Sequence, residues 1–440
     1  MKIAGILLLA FILIFVCVDF SEAGAYKSNG IGTKSLLRGG GIAAVDDYSA
    51  IYWNPAGLSA VESQEIAVEP HYLYLEQSDS NSVKNYDLVN YNALQGDTFF
   101  RIYNTPGLAV EPAQFNQTMS IYSDVSPTTS IGGALQLVKG FNLGFGTYTP
   151  AGLSTKWEDV TRDLVNNALI EADYMASIKI SAYNVSLAKE INSFLSLGAG
   201  LNYIYGETDV EAGKRYTSSA APALNYSFDY KEEGDGGSFE GIFGIIIKPL
   251  SVLKIGAVYR SGASLDMEGY SYYKHTALGV NEASYYDQEY EFPNSWGAGI
   301  SYEPISKVVL LFDWERAGWH KVKRKLDYEL QGGAMLTDTD LELNWNDSNQ
   351  FRLGGEYKWT DKLSLYSSVC WDQTPLSEET VSMTNVIDMD KTNLYLGLGY
   401  KTGKMQFTGG YLYCFGDDTI AGVDYELDIH NFMISGKYCF

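Results

Sequence analysis

Basic residues are scarce in this chain. Its 440 residues include 31 Lys or Arg against 54 Asp or Glu, for a net charge of −23. That balance supplies no basic face to meet phosphates, which argues against nucleic-acid binding. Cysteine stands at 4 and proline at 11, and charged residues of both signs make up only 19%. Outside the first twenty residues there is no run of about 18 apolar residues, which excludes a helical membrane protein. The histidines His71, His275, His320 and His430 are scattered without metal-ligand spacing. Neither a P-loop nor a Gly-x-Ser-x-Gly occurs, so the sequence points to no metal, no cofactor and no enzyme chemistry. What is present is 34 Tyr, 44 Gly and 8 Trp in a chain that is 46% hydrophobic, too apolar to be disordered. The apolar content comes in short pieces, as β structure requires.

The first 25 residues read as a secretory signal. Lys2 is a basic start, Ile3 to Val18 is apolar, and Ala23-Gly24-Ala25 is an Ala-x-Ala cleavage site. A signal anchor is the alternative. Cys17 lacks the small preceding residue that lipoprotein processing needs. The mature chain then keeps Cys370, Cys414 and Cys439, an odd number that forms no disulfide framework.

From about Glu65 onward, apolar residues alternate with period two. At the C-terminus Phe432, Ile434, Gly436, Tyr438 and Phe440 share one face, and Asn431, Met433, Ser435, Lys437 and Cys439 the other. Fourteen such segments are expected, near 65–77, 128–138, 141–149, 174–189, 194–210, 238–248, 252–266, 289–304, 307–318, 349–359, 362–374, 391–402, 405–416 and 428–440. Twelve or sixteen stay open. Short connections such as Lys139-Gly140, Thr360-Asp361 and Gly403-Lys404 alternate with long ones, the largest 78–127, 150–173, 211–237 and 319–348. Short turns at one end, long loops at the other and strands of about ten residues describe an all-β, transmembrane antiparallel barrel of the Gram-negative outer membrane. A bilayer enforces closure, because a free sheet edge in lipid leaves backbone groups unpaired.

The strand faces follow from the alternation. Phe351, Leu353, Tyr357 and Trp359 are expected toward lipid, with Arg352, Glu356 and Lys358 toward the lumen. Ile255 and Tyr259 likewise oppose Lys254 and Arg260, and Leu310 and Phe312 oppose Asp313 and Glu315. Tyr and Trp near strand ends serve as interface anchors. Residues 26–63 do not alternate, and read either as a periplasmic tail or as a small hatch plugging the barrel, before a barrel domain over 64–440. Pro55 fixes its own φ and pushes Asn54 out of the α region, so the short helical stretch before it ends there. In 158–172, Val160, Leu164, Ala168 and Leu169 fall on one stripe at helical spacing, a rim helix or one wall of a capture groove.

The stretch Ala43 to Leu58, ending Tyr52-Trp53-Asn54-Pro55-Ala56-Gly57-Leu58, resembles the N-terminal hatch motif of the FadL/TodX family of outer-membrane transporters. Thr149-Pro150-Ala151-Gly152-Leu153, Phe292-Pro293-Asn294-Ser295-Trp296-Gly297 and Arg352-Leu353-Gly354-Gly355-Glu356-Tyr357 resemble further family segments in the same order. The terminal Phe440 is similar to the signature read by outer-membrane assembly machinery. The loops 78–127, 211–237 and 319–348 resemble nothing in that family. The resemblance implies fourteen strands, a hatch pinned by Asn54, Pro55, Ala56 and Gly57, and passive uptake of hydrophobic compounds, long-chain fatty acids or aromatic hydrocarbons. It further implies capture in the outer loops and lateral exit where the third strand bends, here near Gly144, Gly146 and Pro150. The two glycines otherwise merely relieve crowding in the lumen. A carboxylate ligand needs a lumen cation, for which Lys254, Arg260, Arg352 and Lys358 are candidates, unless lumen acids occupy them. Outer-membrane lipid and lipopolysaccharide are the expected surroundings. A general porin or an adhesin barrel is the rival reading.

Overall fold

The computed structural model describes residues 27–79, 120–122, 126–137, 140–163, 167–376, 388–420 and 423–440. Residues 1–26, where a signal is expected, and most of 78–127 lie outside them. Fourteen strands form the barrel. They are β1 (Glu65–Asp79), β3 (Ser126–Gln136), β4 (Phe141–Asp163), β5 (Ala168–Asn192), β6 (Leu195–Ser218), β7 (Tyr226–Leu250), β8 (Leu253–Arg260), β11 (Ser295–Ile305), β12 (Val308–Ala317), β15 (Ser348–Lys358), β16 (Leu363–Asp372), β17 (Lys391–Thr402), β18 (Met405–Ile420) and β19 (Val423–Cys439). Five more extend the sheet beyond it: β2 (Ser120–Tyr122), β9 (Ala263–His275), β10 (Val280–Phe292), β13 (Lys323–Tyr328) and β14 (Thr339–Glu342). Every pairing is antiparallel, and β1 closes the ring by pairing with β19 on one side and β3 on the other.

The alternation sets the walls as expected. Leu396 is 64% exposed and Phe239 63%, both on the outer face, whereas Arg352 and Asp313 are buried on the inner one. Among the described residues, closure leaves no strand edge in the apolar belt apart from the gap between β3 and β4 treated below. The tight connections carry the short-loop chemistry, with Gly403 between β17 and β18 at φ 57°.

Three expectations from the sequence are corrected. The stripe in 158–172 is not helical: Val160 lies in β4, Ala168 and Leu169 in β5, and the ladder continues to the pair Asp163–Ala168. Asn167 makes the turn at φ 46°, a conformation asparagine tolerates, and Leu164 lies outside the described residues. Much of 211–237 is also strand, since β6 and β7 pair from Tyr216–Tyr226 down into the barrel. The segment 252–266 divides between β8 and β9, because Gly262, at φ 69°, breaks the run and starts the β9–β10 hairpin. That hairpin folds back on β7 and also pairs with β13.

Residues 27–63 fill the lumen. They form α1 (Thr33–Leu37), α2 (Ala50–Trp53) and a 3-10 turn, Pro55–Ala60, and their larger apolar side chains are almost wholly buried.

Candidate transport site: the hatch, the lumen cations and the gap beside β4

The hatch is too short to build a core of its own and borrows one from the wall. Tyr48, Ile51 and Leu58 are buried, and the wall meets them with glycines. A Cβ at Gly144 would stand 2.7 Å from Ile51 Cγ2 and 2.8 Å from Leu58 Cδ1. One at Gly198 would run into the Pro55–Ala56 backbone. Gly144 and Gly146 sit in regular pairing with Ala134 and Gly132 of β3, so they admit the hatch and do not mark a break in the strand.

Polar contacts fix its position. Asn54 is fully buried, and its side-chain amide donates to Ile42 O (2.7 Å), Ile245 O (3.1 Å) and Ala257 O (3.3 Å). Its carbonyl oxygen accepts from Ala56 N at 3.1 Å, capping the turn that Pro55 begins. Gly57 packs on Val45, with no room for a side chain. Three wall carboxylates take hatch backbone donors. Asp313 Oδ2 accepts from Gly41 N and Ile42 N (2.8 and 2.9 Å), Glu69 from Thr33 N (2.7 Å) and Glu65 from Tyr48 N (2.7 Å). The sequence named Asp313 only as a partner for lumen cations. No periodicity distinguishes an acid that caps a plug from one that pairs with arginine.

The four candidate cations separate into two pairs. Arg260 and Arg352 lie beside the hatch aromatics, with Arg260 Cζ 4.2 Å from the Tyr52 ring centre and Arg352 Cζ 4.9 Å from that of Trp53. Arg260 also donates to Tyr52 O and stands 3.9 Å from Glu240. Arg352 stands 3.6 Å from Glu315, which Lys27 of the hatch also pairs. Arg352 Nη1 is buried and bonds to none of the described residues. Lys254 and Lys358 sit elsewhere, in a cavity at the short-turn end, where Lys358 is 3.8 Å from Glu303. Within the hatch, burial would raise the Asp46 carboxyl, but Lys34, at 3.0 Å, and Arg38 hold it well below the usual carboxylate range.

Among the described residues, the wall is incomplete between the outer parts of β3 and β4. Pairing of β3 with β4 ends at Ile131–Thr147, while β4 continues to Asp163 with β5 alone as its partner among the described residues. The β4–β5 register slips by one residue between Tyr148 and Ala151, at Thr149-Pro150. Proline has no N–H for the ladder, so a bulge forms there. The first described residues of the hatch cover this edge: Lys27 bridges to Ala151, and Ser28 N donates to Pro150 O at 2.8 Å.

A closed fourteen-strand barrel with short turns at one end, an apolar belt and a folded plug defines an outer-membrane transport protein. The chain belongs to the family described as outer membrane protein transport protein (OMPP1/FadL/TodX), whose model matches residues 18–426. This is a family of outer-membrane transporters of hydrophobic compounds. Outer membrane protein P1 of Haemophilus influenzae is 20% identical over 421 residues, covering 89% of this chain and 86% of its own. Two solved structures share the fold. A FadL homologue from Pseudomonas aeruginosa has 16% identity and a TM-score of 0.74, covering 95% of this chain and all (100%) of its own. The Ralstonia pickettii toluene transporter TbuX has 16% identity and a TM-score of 0.67, covering 93% and 98%.

Proposed function

We propose that the protein takes up long-chain fatty acids passively and releases them sideways through the gap beside β4. The observation that carries this reading is the outer half of β4, which has β5 on one side and, among the described residues, no strand on the other, with Lys27 and Ser28 of the hatch lying against Pro150 and Ala151. An acyl chain gains about 0.8 kcal/mol per CH₂ by staying out of water. A route from lumen to bilayer keeps it out of water throughout, whereas a route past the hatch into the periplasm does not. Arg352 supports a carboxylate ligand, since a buried guanidinium with a free donor is suited to an incoming carboxylate. Capture begins at the outer ends of the strands, where Ala168 and Leu169 lie in β5, and the ligand then displaces the N-terminal end of the hatch.

Aromatic-hydrocarbon uptake is the second reading, favoured by the toluene-transporting relative of the same fold. The deciding experiment is uptake of labelled oleate and labelled toluene in a Gram-negative host lacking its own transporter. Oleate entry that Arg352→Gln reduces about tenfold is the expected result. Toluene entry alone would transfer the function to the second reading, and entry of neither would remove both.

A further inference from the structure

The short-turn end of the barrel holds a cavity lined by hatch and wall together. Its volume is about 810 Å³, and hatch residues Lys34 and Asp46 lie against it on one side. Around it stand the turns holding Ser306-Lys307, Thr360 to Lys362 and Gly403-Lys404, with the terminal Phe440. Its charge is opposite to that of the molecule. Eight lysines line it against five carboxylate side chains, in a chain with 31 basic and 54 acidic residues. The cleft among the outer strands has the reverse character, with eight acids and Lys179 as its one base.

Three of the eight lysines are accounted for by ion pairs: Lys34 with Asp46 at 3.0 Å, Lys437 with Glu65 at 3.2 Å and Lys358 with Glu303 at 3.8 Å. Lys254, Lys307, Lys362, Lys401 and Lys404 have no carboxylate within 4 Å among the described residues. Lys254 is half-buried on the wall, so water screens it incompletely, while the others ring the mouth. Of the lining acids, Glu356 is engaged by Ser364 at 2.7 Å, and Asp46 and Glu65 by the pairs just given. Gathering like charges that repel one another, when acids outnumber bases in the chain as a whole, creates a site for an outside anion. Ammonium groups on flexible stems suit a phosphoryl group, which offers two terminal acceptor oxygens in a diester or three in a monoester and makes no demand for a planar fork.

We propose that this vestibule binds a phosphoryl anion, held by Lys254 on the wall and by Lys362, Lys401 and Lys404 at the rim. Two sources carry that chemistry. One is the headgroup of an anionic phospholipid of the inner leaflet, which the exposed Tyr400 and Phe407 beside the rim place within reach. The other is free phosphate or a phosphate monoester in the periplasm.

The test uses the full mature chain in nanodiscs of phosphatidylcholine. Inorganic phosphate is titrated at constant ionic strength and followed by ³¹P line broadening. In parallel, native mass spectrometry reads which lipid is retained from discs that also contain phosphatidylglycerol. The expected result is saturable phosphate binding, preferential retention of phosphatidylglycerol, or both. Either signal should weaken at least tenfold in Lys362→Gln/Lys404→Gln, with hydrophobic uptake unchanged. Phosphate binding that phosphatidylglycerol abolishes assigns the site to the lipid headgroup, and binding that persists assigns it to a soluble anion. Absence of both signals in the unaltered chain overturns the proposal, as does a signal that the double variant leaves intact. Lys401→Gln gives the same reading if the double variant fails to assemble.

Discussion

At the scale of single residues, the hatch depends on a few buried polar groups that satisfy backbone atoms from two structures at once. Asn54 is the clearest case, because its amide serves one hatch carbonyl and two wall carbonyls. Each buried hydrogen bond contributes about 1 kcal/mol net, and an unsatisfied partner costs about 1–3 kcal/mol. Asn54→Ala is therefore expected to speed hydrogen exchange of hatch amides by one to two orders of magnitude, with barrel amides unchanged. Equal protection in both proteins would deny Asn54 its pinning role. Glu315 is a second case, shared by Lys27 and Arg352. Glu315→Gln weakens the tie between the N-terminal end of the hatch and the wall. A spin label at residue 28 should become mobile in that variant, and an unchanged spectrum would place the tie elsewhere. Arg352→Glu should still insert, since position 352 faces inward. It would, however, set a second acid against Glu315 and release the hatch.

At the scale of elements, strands extend far beyond what a bilayer needs. β5 and β7 have 25 residues each, against about ten for a tilted crossing. Their outer halves form a sheet with β9, β10 and β13, and Glu282 of β10 ties the 334–336 segment to it. Glu282 accepts from Ala334 N at 2.6 Å and from Met335 N and Leu336 N at 3.0 Å. Partial burial alone would raise this carboxyl, but the three backbone donors overturn that and hold it below the usual glutamate value. A lowered folded pKa means that the contribution is present above the unfolded value of about 4.3 and disappears as pH falls through the folded one. Exchange of the 334–336 amides should thus be about tenfold faster in Glu282→Gln at pH 7. The two proteins should converge under more acidic conditions, and a difference persisting there would contradict this assignment.

At the scale of the whole molecule, the barrel and its plug are separable in principle. The wall closes through β1–β19 and β1–β3 pairing without any hatch residue. The cavity left by removing the hatch would be lined by Asp313, Glu65 and Glu69 from the wall, and carboxylates that face water need no hatch partner. Deleting residues 27–60 should leave a heat-modifiable barrel that conducts ions steadily in a planar bilayer, whereas the intact protein should conduct little. Equal conductance would show that the plug does not seal the lumen.

Alternation along the chain was enough to reach an antiparallel barrel of about fourteen strands, its turn-rich end and the inward and outward faces of the strands read most clearly, such as 349–359. Period-two alternation is local, and a bilayer leaves a strand of that kind only one way to satisfy its backbone. It was less informative outside the bilayer, where both faces of a strand can be polar, and so the outer halves of β6 and β7 read as loop. The helical stripe at Val160, Ala168 and Leu169 misled for a related reason: a few apolar residues fit either period when no lipid enforces one. Which glycines admit the hatch and which acids hold it emerged from the folded contacts. The tertiary structure alone separated Arg260 and Arg352 at the hatch from Lys254 and Lys358 in the vestibule. Those outcomes depend on contacts between residues hundreds of positions apart, such as Lys27 with Glu315 and Asn54 with Ile245, and chain closure in space brings them together.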